Sequence, residues 1–422
     1  MKARWPLILV GVLTAIAFAL RLHQYGLSLL GDEMSTLWIV KGNGDAGVID
    51  AVRSDAEISP PLYFLLAKLA TGLGSSPELV RLPALIAGTA CVPMIYLLGL
   101  RTVGRVPGLI AAALMTLSPF MIFFSGSGRA YTLMLALLIG STLAMLAATR
   151  TGRVRWWVAY ALLSCLAMYS HYTAMFVLFA QLVWLLWAEP GARKPALIAN
   201  AGAALLFLPW VPAFLDDSDS PTTDLLAALQ GDGFDTKRQA LEQWAFGHPL
   251  LTPAQLPGRG VIAVIAIALV VAAVVSLAGT FRRKVELKAW LRDNRMAILV
   301  FALAIATPLA EALYSLSGTD LFGSRNLTAS TPGLLLAIGT VLASAGPVWG
   351  GICGVAVIGG FMVGTVKSLG DSAATIDYKA AAAQINREHN PGDPVADLRS
   401  APITPVPLTP LQAYLDDDIE VY

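Results

Sequence analysis

The sequence predicts an all-α polytopic membrane protein, and three observations carry that prediction. Of 422 residues, 56% are hydrophobic and only 14% charged, far from the composition of water-soluble domains. The apolar residues fall in continuous runs, several long enough for a helix to cross the hydrocarbon core; a transmembrane barrel would need alternation instead. Basic residues gather in four of the five connections expected on one side, as the positive-inside rule requires. The net charge of +1 gives no basis for a nucleic-acid partner.

The runs give about eleven spans, at 5–22, 80–100, 107–124, 131–149, 156–170, 172–188, 195–214, 260–280, 296–314, 327–345 and 348–366. The N-terminal stretch "MKARWPLILVGVLTAIAFAL" has the basic start and apolar core of a signal peptide. No small-residue cleavage pattern follows, so it reads as a retained first helix. With the N-terminus inside, the inner connections are "RTVGR", "TRTGRVRWW", "EPGARK", "TFRRKVELKAWLRDNR" and "AGPVWG", of which four of five are basic. The outer connections, including "LLGDEMST", "LDDSDSPTTD" and "SGTDLFGSRN", are acidic or mixed.

One apolar stretch, "SPPLYFLLAKLATGLG", stays out of the count. It is short for a span, and including it would invert every later loop. Leu62, Leu65, Leu66, Leu69 and Leu73 follow a helical stripe, with Lys68 and Thr71 off it. The stretch is expected to be an amphipathic helix on the outer membrane surface, opened by Pro60-Pro61. The chain then divides into a membrane domain, 1–366, and an outer tail, 367–422. The membrane domain carries a first outer loop at 23–79 and a second at 215–259. The tail reads as a helix ("DYKAAAAQINREHN"), a turn ("PGD"), short strands and a Pro-rich stretch. It is marginal in length for a core of its own, so it is expected either to dock on the membrane part or to be cut short.

Ionisable groups at membrane depth are expensive without a role. The outer-side set is Asp32, Glu33, Asp55, Glu57, Arg81, Arg129, His171, Glu311, Asp320 and Arg325, which would surround one polar cavity. Each has a plain reading as well. Asp32 and Glu33 stand where acids cap a helix, "EMSTLWIV", and Glu33 could instead hold an arginine in place. Arg129 could snorkel, Tyr131 could belong to the interfacial aromatic belt, and His171 could be a satisfied helix-end histidine. Arg325 could pair with Asp320, Arg81 could anchor the start of its helix beside Glu78, and Asp55 with Glu57 could form a solvated turn. Cys91, Cys165 and Cys353 lie in apolar runs and read as small core residues. The four histidines lack ligand spacing, so no metal site is expected. "GNGDAG" follows no strand, which disfavours a nucleotide donor.

The ordered segments "GDEMSTLW", "SPPLYFLLAKL", "RLPALIAGTACVPMIYLLG" and "SPFMIFFSGSGRAYTLMLALL" resemble the family 39 branch of the GT-C membrane glycosyltransferases. Protein O-mannosyltransferases and lipid A aminoarabinose transferases stand in that branch. "FGSRNLTASTPGLLLAIG" is similar to its Arg-Tyr helix, with Asn326 where Tyr is common. Ser59 stands where His or another polar residue often precedes the Pro pair. The resemblance implies a GT-C type bundle with juxtamembrane helices in the first outer loop. It also implies transfer of a sugar from a polyprenyl-phosphate donor to an acceptor hydroxyl on the outer face. Asp32 would be the catalytic base in an inverting displacement, with Glu33 beside it. Arg129 and Arg325 would hold the phosphate, and Tyr131, His171, Tyr63 and Lys68 complete the expected substrate-binding set. No cofactor is expected. The acceptor could be a lipid, a glycan or a protein, and the sugar mannose, arabinose or an amino sugar. Ala, Gly and Arg usage points to a bacterial source, hence to an inner-membrane location with the active site extracytoplasmic. Two other classes compete: a secondary transporter with Asp32 or Glu311 as ion site, and a non-catalytic scaffold. Transporters place charges near the midplane of broken helices, whereas these cluster at outer helix ends.

Overall fold

The computed structural model describes residues 4–42, 47–53, 57–218, 220, 223, 233–281, 286–317, 320–370, 376–390, 393, 395–397, 408–416 and 419. Among them the protein is helical throughout, with no strand. The main helices are α1 (Trp5–Tyr25), α2 (Asp32–Leu37), α3 (Leu62–Thr71), α4 (Leu82–Arg101), α5 (Arg105–Leu117), α6 (Pro119–Ser125), α7 (Tyr131–Thr151), α8 (Val154–Ser170), α9 (Ala174–Ala188), α10 (Arg193–Phe207), α11 (Phe234–Phe246), α12 (Arg259–Phe281), α13 (Arg295–Tyr314), α14 (Thr331–Ser344), α15 (Gly346–Ser368) and α16 (Tyr378–Glu388).

Every expected span coincides with a helix or a helix pair, but not every one has the length of a span. Among the described residues eight helices are long and apolar enough to cross a membrane, or nine if the bent α5–α6 pair counts as one. The helices α8 and α9, at 17 and 15 residues, fall below that length.

The run expected as one span at 107–124 is broken by 63°. The cause is Pro119. It has no N–H to give the Met115 carbonyl four residues back, and it drives Ser118 into an extended conformation (φ −70°, ψ 119°). Two side chains repair the break. Ser118 Oγ accepts the Met121 N–H at 3.3 Å. Arg21 Nη2 donates to the Met115 carbonyl at 2.9 Å, while its Nε donates to Ser125 Oγ at 3.0 Å. Arg21, fully buried, therefore holds both halves of the broken element. Gly88 lets α4 pass close beneath: a Cβ there would lie 2.1 Å from Ser125 Oγ.

The first outer loop has an apolar core separate from that of the bundle. Leu29, Met34, Ile39, Tyr63, Phe64 and Val80 pack together on Phe207 and Trp210. Within α3 the buried face is Tyr63, Phe64, Ala67 and Ala70, while Leu65 and Leu69 are exposed. The leucine stripe read from the sequence thus faces away from the protein, the orientation a membrane-surface helix requires.

The described part of the tail docks on this loop. Asp377 caps α16 by accepting the Ala380 N–H at 3.1 Å and takes a second bond from Ser28 Oγ at 3.2 Å. Lys379 pairs with Glu78 and donates to the Gly26 carbonyl at 2.7 Å. The Leu29 N–H donates to Tyr414 Oη at 2.8 Å. The Pro-rich stretch, and most of the tail beyond the "PGD" turn, lies outside the described residues.

Candidate active site

Three connections meet at the end of the bundle where α2 begins. The first is the turn into α2, where Gly31 adopts φ +51°, a left-handed conformation that favours glycine. Neither acid caps the helix by a side-chain bond to its N-cap position. The two acids instead diverge.

Glu33, expected beside Asp32 in catalysis, is 7% exposed and has both oxygens occupied. Arg81 Nε and Nη2 each donate to it at 2.6 Å, the Gly128 N–H donates at 2.6 Å and the Leu30 N–H at 3.3 Å. Arg81 also donates to the carbonyls of Tyr25, Leu27 and Ser28 at 2.8, 2.5 and 3.0 Å. The pair ties the end of α1, the start of α4 and the 126–130 turn into one unit. Glu33 thus takes the arginine-holding part of its alternatives, and its partner is Arg81, which the sequence placed with Glu78.

Asp32 points outward, its side chain 53% exposed. Arg325 Nη1 donates to its Oδ2 at 3.2 Å, across 293 residues of chain. Arg325 does not take Asp320, which pairs with Lys237 at 2.9 Å. Arg129 Nη1 approaches the Asp32 carbonyl at 3.4 Å. Its principal partner is Glu57, held at 2.5 and 3.1 Å, and Nη2 also reaches Ser59 Oγ at 3.4 Å. Glu57 is 5% exposed and is no solvated turn; Asp55 lies outside the described residues. Burial opposes the charge on Arg129, but Glu57 and Asp32 outweigh it and hold its pKa above the ordinary value.

His171 stands at the end of α8, its ring 5.1 Å from that of Tyr131. Burial, then the charges of Arg129 and Arg325, push its pKa down to about 3. The ring is therefore neutral at physiological pH. Its Nδ1 accepts the Thr173 N–H at 3.3 Å, which places the ring proton on Nε2.

Asp32, Arg129, Tyr131, His171 and Arg325 are thus brought together. Tyr63 and Lys68, expected to bind substrate, are not. Tyr63 is fully buried and donates to the Val80 carbonyl at 2.8 Å, and Lys68 Nζ donates to the Val40 carbonyl at 2.6 Å. Both are engaged in packing α3 onto its loop. The role of Glu57 was not legible, because its partner lies 72 residues away; the one signal was an acid three residues before the Pro pair.

An apolar groove of about 370 Å³ runs between α9 and α13, lined by Phe176, Phe179, Val183, Ile305, Leu309 and Leu313 among others. Its ends at Phe176 and Leu313 lie on the segments that lead to His171 and Arg325.

Residues 59–213 match the family described as dolichyl-phosphate-mannose-protein mannosyltransferase. A comparison with curated protein sequences gives no match. Among solved structures the chain is similar to ArnT of Cupriavidus metallidurans bound to undecaprenyl phosphate, at 13% identity and a TM-score of 0.58, over 100% of this chain and 86% of that one. It is also similar to the oligosaccharyltransferase of Archaeoglobus fulgidus tethered to an acceptor peptide, at 13% identity and a TM-score of 0.58. That match covers 93% of this chain, which spans 58% of the length of the archaeal protein. A second structure of the archaeal enzyme AglB, with an inhibitory peptide and dolichol phosphate, gives 12% identity and a TM-score of 0.58, over 92% of this chain and 58% of that one. The family match is confined to residues 59–213, while the fold shared with these GT-C-type membrane glycosyltransferases runs along nearly the whole chain.

Proposed function

We propose that the chain transfers a sugar from a polyprenyl-phosphate-linked donor to an acceptor hydroxyl, by direct displacement with Asp32 as base. The observation that carries this reading is the meeting of one accessible carboxylate with two guanidiniums. The acceptor oxygen attacks the anomeric carbon, the bond to the phosphate oxygen breaks, and the hydroxyl proton passes to Asp32. An aspartate is a weak base for an alcohol, so proton transfer is late and accompanies departure of the leaving group. Displacement from the opposite face inverts the anomeric centre.

The polyprenyl phosphate departs with increased negative charge, which a guanidinium offsets. Arg325 suits this role better than Arg129. It is 26% exposed and held by a single bond to Asp32, whereas Arg129 is already neutralised by Glu57. A bound phosphate would compete with Asp32 for Arg325, freeing the carboxylate as the donor settles. Neutral His171 can donate from Nε2 to a phosphate or sugar oxygen without adding charge. Glu33 acts through Arg81, fixing the turn that presents Asp32. The groove between α9 and α13 would take the isoprenoid chain, its apolar lining matching a hydrocarbon and its outer end reaching the charged cluster. The excess of basic residues in the connections opposite the site supports an N-terminus inside, the site outside, and eleven crossings once α8 and α9 are included.

Asp32→Asn tests the mechanism. In membrane vesicles supplied with mannosyl-, arabinosyl- or aminoarabinosyl-phosphoryl-undecaprenol, the wild type should consume one donor and the variant none, with donor affinity within about twofold. Full transfer by the variant would sink Asp32 as base. Solute uptake into liposomes with no sugar transfer by the wild type would favour a transporter.

A further inference from the structure

Glu311 lies on α13, one turn before its end, and is 4% exposed. Its Oε2 is buried with no hydrogen-bond partner, and no described residue forms an ion pair with it. Lys237 is already committed to Asp320 and Ser315, both at 2.9 Å. A buried carboxyl oxygen with no partner costs free energy in the resting protein.

Glu311 does not stand alone on its face. Thr307, Glu311 and Ser315 follow one another at four-residue spacing, so they form a polar stripe down one side of an otherwise apolar helix. At its inner end Thr307 is closed off, its N–H donating to Ser330 Oγ at 3.0 Å and its Oγ1 accepting from that hydroxyl at 2.8 Å. At its outer end Ser315 and Asp320 share Lys237. The described chain resumes at Asp320 and runs directly to Arg325, which reaches Asp32. The stripe thus ends on the same lysine as Asp320, five residues before Arg325, and among its described members Glu311 alone keeps a buried oxygen with no hydrogen-bond partner.

We propose that Glu311 is a specificity-determining residue that accepts a hydroxyl of the sugar being transferred. The assignment rests on the transferase reading above. The composition of the stripe selects the ligand class. It has one carboxyl group flanked by hydroxyls, the usual partners of a polyol. Among the described residues no three His, Cys, Asp or Glu side chains gather as a metal site would need. The unpartnered state has the character of a group kept for function at the expense of stability.

Two readouts test this on the full-length protein in nanodiscs. Dicyclohexylcarbodiimide, which modifies buried carboxyls, should label Glu311, as read by peptide mass spectrometry. Undecaprenyl phosphate alone should leave that labelling unchanged, and at least one of mannosyl-, arabinosyl- or aminoarabinosyl-phosphoryl-undecaprenol should reduce it fivefold or more. Equal protection by the sugar-free lipid, or protection by none of the donors, would overturn the proposal. In the second readout, Glu311→Gln should raise the donor KM about 2- to 10-fold, the value of one hydrogen bond, with a smaller effect on kcat. Glu311→Met should be at least as heat-stable as the wild type. A Met variant that unfolds early, with an unchanged KM in the Gln variant, would make Glu311 structural. If the wild type transfers no sugar at all, the transferase reading fails, and the labelling experiment still decides whether Glu311 meets a glycosyl group.

Discussion

Replacing Glu33 by Gln separates the two neighbouring acids by what they do. Glu33 receives two bonds from Arg81 and one from Gly128, all at 2.6 Å, inside a site where both side chains are almost fully buried. A glutamine keeps the shape but offers one acceptor oxygen and an NH2 where three short donors converge. At least one donor then faces another donor, and the Arg81 charge loses its carboxylate partner. Breaking a buried pair from one side costs about 3–5 kcal/mol. The expected result is a thermal half-life in detergent more than tenfold shorter than that of the wild type. The double variant Glu33→Leu with Arg81→Met should recover much of the loss, because it removes both charges together. Asp32→Asn, at a half-exposed position, should alter the half-life little, since exposed ion pairs contribute about 0–1 kcal/mol. A Glu33→Gln variant with wild-type half-life and no transfer activity would refute the structural role and return Glu33 to the chemistry.

Other consequences can be measured directly. Glu57→Gln should leave Arg129 without its counter-charge and reduce kcat/KM at least tenfold, read in the same vesicle assay. Gly88→Ala places a Cβ against Ser125 and should destabilise by about 1–3 kcal/mol, as followed by thermal unfolding. The depressed pKa of His171 means that the unfolded chain binds its proton first as pH falls. Stability should therefore decline between about pH 6.5 and 3, and His171→Phe should flatten that decline in thermal scans.

The sequence showed the class of the fold and one end of the site, for reasons that also set its limits. Lipid-facing and core-facing surfaces both read as apolar, so runs were visible. The break inside one run was not, because Pro119 changes the backbone without changing hydropathy. Asp32 was visible because an acid pair follows an apolar run. Its neighbour Arg325 was nameable as a candidate, but not as a partner of Asp32. Pairings such as Glu33 with Arg81 and Glu57 with Arg129 join segments brought together only by the packing of the first loop on the bundle, and no local spacing encodes them. In α3 the leucine stripe was correct as a pattern and marks the face turned away from the protein, as a membrane-surface helix requires. Tyr63 was assigned to substrate when its ring belongs to the inward one.

Arg21 has a consequence for how the chain is made. Its acceptors, Met115 and Ser125, are 94 and 104 residues later. At about 5–20 residues per second, the first helix waits roughly 5–20 s after its own synthesis before they exist. During that interval a guanidinium sits in a membrane-bound segment with only its own Ala17 carbonyl, at 3.1 Å, to bond. The first helix is thus an unfinished insertion intermediate, whose residence in the bilayer depends on the arrival of α5 and α6. A ribosome stalled before residue 115 would present quality-control proteases with an exposed charge at membrane depth.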